Sequence, residues 1–229
     1  MTLEDAARCV RLAARALGRH GLVHAYGHCS MRLDAGSFLV SPPRPLGLVE
    51  AGEPCTVVPL DGALPEGVLG EVRIHREIYR RRPDVGGVVR SMPPKAMSLG
   101  SLGLTPRARH GFGSYFFPGA PLWPDPQLVR SDHQASEVAR QLGEARAIAL
   151  RGNGLVTAGG SLEEAVVLTW YFEDAARVEL DCRAAGLAES LLLNAGQAQE
   201  RATWSGRIRE RMWEFLTAGD CESAFKRPE

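Results

Sequence analysis

The sequence predicts an α/β fold in one domain over residues 1–229, built on a mixed sheet that is mostly antiparallel, above all in its first half. Three observations predict it. Apolar residues at helical spacing open the chain, two hairpin-like patterns follow, and strand and helix patterns then succeed one another with no internal repeat or linker between them.

In residues 3–18, Leu3, Ala6, Ala7, Val10, Leu12 and Ala14 share one broad face, and Gly21 follows as a helix-ending glycine. HCSMRLDAGSFLVSP reads as two short strands around Asp34-Ala35-Gly36, with glycine where a hairpin turn wants positive φ. CTVVPLDGALPEG repeats the pattern, its strand over 56–60 ending at Asp61-Gly62. Val72, Ile74, Ile78 and Tyr79 lie among charges in EVRIHREIYRRR, which predicts an amphipathic helix over 71–82 closed by Pro83. VGGVVR reads as a buried strand. Residues 103–133 are rich in Gly, Pro and aromatics without periodicity, which predicts a long loop covering something. A helix over 136–142 follows, and ARAIALRGNGLVTAG is strand, turn, strand. Ser161-Leu162-Glu163-Glu164 opens a long helix to about Ala185 with a capping box, and a last helical segment over 198–216 carries Trp204 and Trp213.

Acidic and basic residues balance at 27 each, which argues against nucleic acid or an anionic membrane surface as partner; only Lys95 and Lys226 among the cations are lysine. With 45% apolar and 24% charged residues the composition is that of a globular protein. The first turn is acidic and lacks a continuous apolar run, unlike a signal peptide, and no stretch reaches membrane-spanning length. The five cysteines are scattered and never form CxxC, so neither a disulfide framework nor a zinc ribbon is expected, and a reducing cytoplasm is the expected location.

GLVHAYGHCSMRL at 21–33, EVRIHREIYRRRPDVGGVV at 71–89 and RGNGLVTAGGSLEEAVVLTWYFEDAARV at 151–178 resemble, in order and separation, the class II aldolase/adducin family, which includes fuculose-phosphate aldolase and ribulose-phosphate epimerase. The resemblance implies a three-layer α/β/α fold, an enzyme acting on a small molecule, and a homo-oligomer, commonly a tetramer with sites at subunit interfaces. AYGH together with SPPRPLGLV at 41–49 resembles a subgroup that includes decarboxylases and other enzymes of unphosphorylated carboxylates.

The departures carry chemistry. The family's three zinc-binding histidines would fall at Arg90, Met92 and Asn153, and guanidinium, thioether and amide do not make a useful zinc site. Leu69-Gly70 stands where a phosphate-binding serine pair is expected, whereas Glu71 keeps the place of the family's catalytic acid. The expectation is therefore no metal and no cofactor.

Glu71 reads as catalytic, or as an acid facing a helix dipole. Arg90 reads as a fixed cation in the place of zinc, pairing with Glu71 and polarising a substrate oxygen, or as a side chain facing solvent in a decayed site. Asn153 would donate to a developing oxyanion, or simply suit the turn Gly152-Asn153-Gly154. Gly27 and His28 occupy the substrate loop, where His28 replaces the usual asparagine as donor and could transfer protons near neutral pH. Ser41 and Arg44 would line the same pocket and suit a carboxylate, or form a proline-rich surface turn. His75, one turn after Glu71, is a ligand, an orienting partner or a satisfied helix histidine. His110 and Tyr115 would close over the substrate. Cys29 reads as a buried structural thiol, and Trp170, Tyr171 and Phe172 as core or subunit packing.

The expected function is a metal-independent lyase working through an enolate-like intermediate: decarboxylation, dehydration, isomerisation or aldol-type chemistry on a small unphosphorylated carboxylate or carbonyl compound. Two alternatives stand beside it. One moves the metal to Glu71 and His75 with His110 or His28; the other is a non-catalytic, adducin-like scaffold.

Overall fold

The computed structural model describes residues 2–224; Met1 and residues 225–229, among them Lys226, lie outside the described residues. Helix α1 (Leu3–Arg19) starts where the Thr2 hydroxyl and the Asp5 carboxylate cap each other's backbone. Strands β1 (His28–Arg32), β2 (Ser37–Val40) and β3 (Thr56–Pro59) precede α2 (Val72–Arg81), β4 (Gly87–Ser91), α3 (Pro94–Ser101) and β5 (Leu122–Trp123). Then come α4 (Asp132–Leu142), β6 (Ala147–Leu150), β7 (Leu155–Gly159), α5 (Leu162–Ala184), α6 (Ala195–Arg201) and α7 (Ile208–Thr217).

The seven strands form one sheet in the order β3-β2-β1-β4-β7-β6-β5. Only the β5–β6 pair is parallel; the others are antiparallel. Alternation along each strand fills two cores. Val89, Cys29 and Leu155 pack with α1 and α5 on one face, while Val88, Val156 and Ile148 pack with α2 and α4 on the other. This is the expected three-layer architecture, and VGGVV is apolar because β4 is covered on both faces.

Several local expectations change. Gly36 is not left-handed; the β1–β2 turn is held instead by the Asp34 carboxylate, which accepts from the Gly36 N–H at 2.7 Å and the Ser37 hydroxyl at 3.0 Å. The segment 103–133 is not one loop: it contains a 3-10 turn at Gly113–Phe116 and the two-residue β5, too short to show a period. Helix α4 begins at Asp132 rather than 136, because Ser131 and Gln134 form the capping box. Ser161 caps α5 by accepting from the Glu164 N–H, half of the predicted box. The last segment is two helices: Gly206 and Arg207 are left-handed, with φ of 71° and 59°, and break the run. Helix α3 was without a sequence signal, its eight residues opening with Pro94 in the first turn.

Candidate active site

Strand register assembles the site. His28 on β1 is paired with Arg90 on β4, and Arg90 with Val156 on β7, so the His28 and Arg90 side chains emerge on the face covered by α2. Two glycines let three segments converge there. Gly27 has φ 143°, and a Cβ on it would lie 2.8 Å from Val23 Cγ1 and 3.0 Å from the Arg90 carbonyl oxygen. Gly154 has φ 84°, and its added Cβ would meet the Ser91 carbonyl oxygen at 2.1 Å, so only glycine lets the β6–β7 turn lie on the end of β4.

That turn presents Asn153, which is buried; its backbone closes the turn on Leu150, and its side-chain Nδ2 donates to Glu71 Oε1 at 3.4 Å. The turn reading of this residue is thus met, and its amide donates to the Glu71 carboxylate. Glu71 precedes α2 but makes no capping hydrogen bond. Its Oε1 also accepts from the Val129 N–H at 3.2 Å, and its Oε2 lies 3.2 Å from Arg90 Nη2. The helix-end explanation for Glu71 therefore does not describe what its carboxylate touches.

Arg90 is 2% exposed and does not face solvent. Burial pulls its pKa down, Glu71 pulls it back up, and the guanidinium remains the cation of the site. Its Nη1 donates to the Ser91 carbonyl at 2.9 Å, whereas its Nε–H is buried without a partner.

Behind this pair runs a buried polar chain. His28 Nδ1 lies 2.8 Å from His75 Nε2, His75 Nδ1 lies 2.6 Å from Ser30 Oγ, and Ser30 Oγ lies 2.9 Å from the Tyr79 hydroxyl. Burial, with the Arg90 charge adding, lowers the His75 pKa to about 3. Burial, then His75 and Arg90, hold His28 well below 6.5. Burial and the neighbouring positive charge thus work against the expected proton exchange by His28 near neutral pH.

Glu71, Arg90, Asn153 and His28 floor a cleft of about 750 Å³ whose lining adds 25–27, 43–45, 69–70, Met92 and 128–130. Three arginines, Arg44, Arg90 and Arg130, line the cleft with one carboxylate, Glu71, which favours an anionic ligand. Tyr26, Leu69, Met92, Leu128 and Val129 supply apolar wall. Arg44 stands at the rim, 3.2 Å from Glu53.

Not every expected residue arrives. Ser41 lies behind the wall, its hydroxyl accepting from the Cys29 N–H at 3.3 Å. His75 orients His28 and does not line the cleft. His110 faces Asp174 at 3.1 Å, and Tyr115 hydrogen-bonds the Thr203 carbonyl and packs on Trp204 with ring centroids 4.5 Å apart. Both belong to an aromatic cluster against α5, because Phe112, Tyr171 and Trp204 draw the 110–116 segment there rather than over the cleft of the same chain. Cys29 is buried, and burial raises its pKa, as for an inert thiol. Val129 and Arg130 carried no sequence signal, since they lie in the aperiodic segment before α4.

Residues 9–180 match the family model described as Class II Aldolase and Adducin N-terminal domain. The chain belongs to that family. A 3,4-dihydroxyphthalate decarboxylase of Arthrobacter keyseri is 32% identical over 221 residues, 87% of each chain. Another protein of that name, from a Terrabacter species, is 31% identical over 78% of this chain and 81% of its own. The solved structure of L-fuculose 1-phosphate aldolase from Glaciozyma antarctica superposes with a TM-score of 0.76 at 21% identity, covering 93% of this chain and 88% of the other, which shows the shared fold.

Zinc is the ion that the family resemblance implies, and the donors present do not fit it. Arg90 places a permanent positive charge beside Glu71 where a divalent ion would need anionic or neutral donors. Among the described residues, no group of three or more His, Cys, Asp and Glu is arranged to hold a metal. The relocated set is not assembled either: both His75 nitrogens are engaged, and His110 packs on Phe112 away from the cleft. No described helix is long and apolar enough to cross a membrane.

Proposed function

We propose that this lyase-type enzyme removes carbon dioxide from a small hydroxylated aromatic carboxylate, with Arg90 in the electrostatic place of a metal ion. The Glu71–Arg90 pair at the floor of a cation-rich cleft carries the reading. The relatives named 3,4-dihydroxyphthalate decarboxylase support the substrate class, and the apolar walls suit a planar ring.

A hydroxyl ortho or para to the departing carboxylate pushes electron density onto the ring carbon that bears it. That carbon takes a proton, its bond to the carboxylate breaks, and the bonding electron pair restores the aromatic ring as carbon dioxide leaves. The hydroxyl ionises against Arg90 and gives its proton to solvent; its charge moves onto the ring carbon as that carbon is protonated and returns to the oxygen as carbon dioxide leaves, and Arg90 stabilises it there until the oxygen is reprotonated. The substrate oxygen competes with Glu71 for the guanidinium, which frees Glu71 to take a proton from solvent through the open cleft and deliver it to the ring. Asn153 Nδ2 and the Val129 N–H keep Glu71 aimed while this happens. One proton is consumed and one carbon dioxide is released per turnover, and the ring hydroxyl is conserved.

The test is incubation of the purified protein with 3,4-dihydroxyphthalate and with monohydroxybenzoates, following carbon dioxide and the decarboxylated arene. Stoichiometric release from at least one hydroxylated substrate is expected. No release from any of them would overturn the proposal.

A further inference from the structure

We infer that the buried chain Tyr79–Ser30–His75–His28 fixes His28 with a hydrogen on Nδ1 and a bare Nε2, making it a preset acceptor that, beside the Arg90 Nε–H donor, reads a hydroxyl of the ligand. The inference rests on the decarboxylase reading for the ligand's chemical class, a hydroxylated arene.

Proton accounting along the chain gives the direction. A carbonyl can only accept, so the single Tyr79 O–H goes to the Ser30 carbonyl oxygen at 3.0 Å. Tyr79 Oη then accepts the Ser30 hydroxyl at 2.9 Å. Ser30 Oγ, its hydrogen committed, accepts from His75 Nδ1–H at 2.6 Å. His75 Nε2 is left bare and accepts from His28 Nδ1–H at 2.8 Å. This order makes all four contacts, whereas the reverse leaves the Ser30 carbonyl contact unmade. Each ring carries only one hydrogen because burial and the Arg90 charge hold both below ordinary imidazole pKa values.

The far end of the chain is unsatisfied. His28 lines the cleft, and its Nε2 is buried without a partner, as is the Nε–H of Arg90, its register partner on the next strand. One group lacks a donor and the other lacks an acceptor. A hydroxyl supplies both, and a methyl ether or bare ring carbon does not. Since His28 resists becoming an imidazolium, its role is positioning: it holds the O–H so that the oxygen sits on Arg90. The expectation of His28 as a donor is thereby reversed.

The experiment uses the full chain with ¹⁵N-labelled histidine. Ring ¹⁵N–¹H correlation spectra identify the protonated nitrogen, and loss of one signal set in His28→Gln assigns His28. A hydrogen on Nδ1 and a bare Nε2 at neutral pH is the expected result; a hydrogen on Nε2, or on both nitrogens, overturns the inference. In Tyr79→Phe the freed Ser30 hydroxyl turns to His75 Nδ1, and both rings are expected to switch tautomer; a folded variant that keeps the wild-type tautomers overturns the relay. If that variant does not fold, Ser30→Ala, which removes the same constraint, is read for the same switch. Catechol is the ligand probe and 1,2-dimethoxybenzene its control. Catechol is expected to move the His28 Nε2 resonance and to bind at least about 100-fold more tightly than the diether, since a site built for a hydroxyl rejects analogues lacking it. Equal binding overturns the hydroxyl assignment. A protein that shows the predicted tautomer and catechol response yet releases no carbon dioxide retains this inference and loses the proposed reaction.

Discussion

Replacing Arg90 with methionine removes the charge while leaving an apolar stem in a buried position. In the wild type Nη2 lies 3.2 Å from Glu71 Oε2, with side-chain exposures of 3% and 19%. At an effective dielectric of about 20 the gross attraction is on the order of 5 kcal/mol, most of it offset by the desolvation of Arg90. Glu71 keeps the Val129 N–H and Asn153 Nδ2 and regains contact with water, so the net stability loss is expected to stay below about 2 kcal/mol, a Tm change of a few degrees. Catalysis has no such compensation. Removing the group that stabilises the developing oxygen charge costs about 3–4 kcal/mol, so kcat should fall roughly 10²–10³-fold. Carbon dioxide release and a thermal melt, measured on one preparation, separate the two effects. A folded Arg90→Met enzyme with kcat within a few-fold of wild type would refute the reasoning, because no other described residue in the cleft floor offers a fixed cation beside Glu71.

Glu71→Gln preserves the Oε1 acceptor but cannot carry a proton, so single-turnover decarboxylation should slow about 10²–10⁴-fold while substrate affinity, read by titration, holds or improves. Gly154→Ala forces a Cβ to within 2.1 Å of the Ser91 oxygen at φ 84° and should cost well over about 1 kcal/mol in urea unfolding, displacing Asn153 and lowering kcat with it. Folding stability should also depend on pH through the two buried imidazoles. Their folded pKa values lie below the ordinary 6.5, so the unfolded chain binds more protons as pH falls through that range, and stability is complete above pH 6.5 and lost below it. At pH 5.5 the loss is about 1.4 kcal/mol for each ring; urea midpoints that do not change between pH 7.5 and 5.5 would contradict this.

Much of the scaffold was legible where one physical constraint dominates. The apolar run VGGVV marks a strand covered on both faces, and the charges interleaved with Val72, Ile74, Ile78 and Tyr79 mark a helix with one buried side. The convergence of Glu71, Arg90 and Asn153 was legible from the family resemblance and from the cost of burying a guanidinium without a carboxylate. What the sequence hides depends on register and long-range packing. His75 orients His28 because β1 and α2 place the rings 4.6 Å apart, a fact about neighbouring elements rather than spacing within one. His110 and Tyr115 were assigned to the cleft from composition alone, and it is the stacking of Phe112 on Tyr171 at 4.3 Å that takes their segment elsewhere. Val129 touches Glu71 through its backbone N–H, a contact that no side-chain identity announces.

The central claim, that a guanidinium does electrostatically what a divalent ion does elsewhere in this fold, is tested most directly by steady-state carbon dioxide release from exhaustively chelated enzyme, with and without added zinc, manganese or iron. Full activity in the chelated protein, unchanged by any of the metals, is the predicted result. Activity that disappears with chelation and returns with one stoichiometric metal would contradict it.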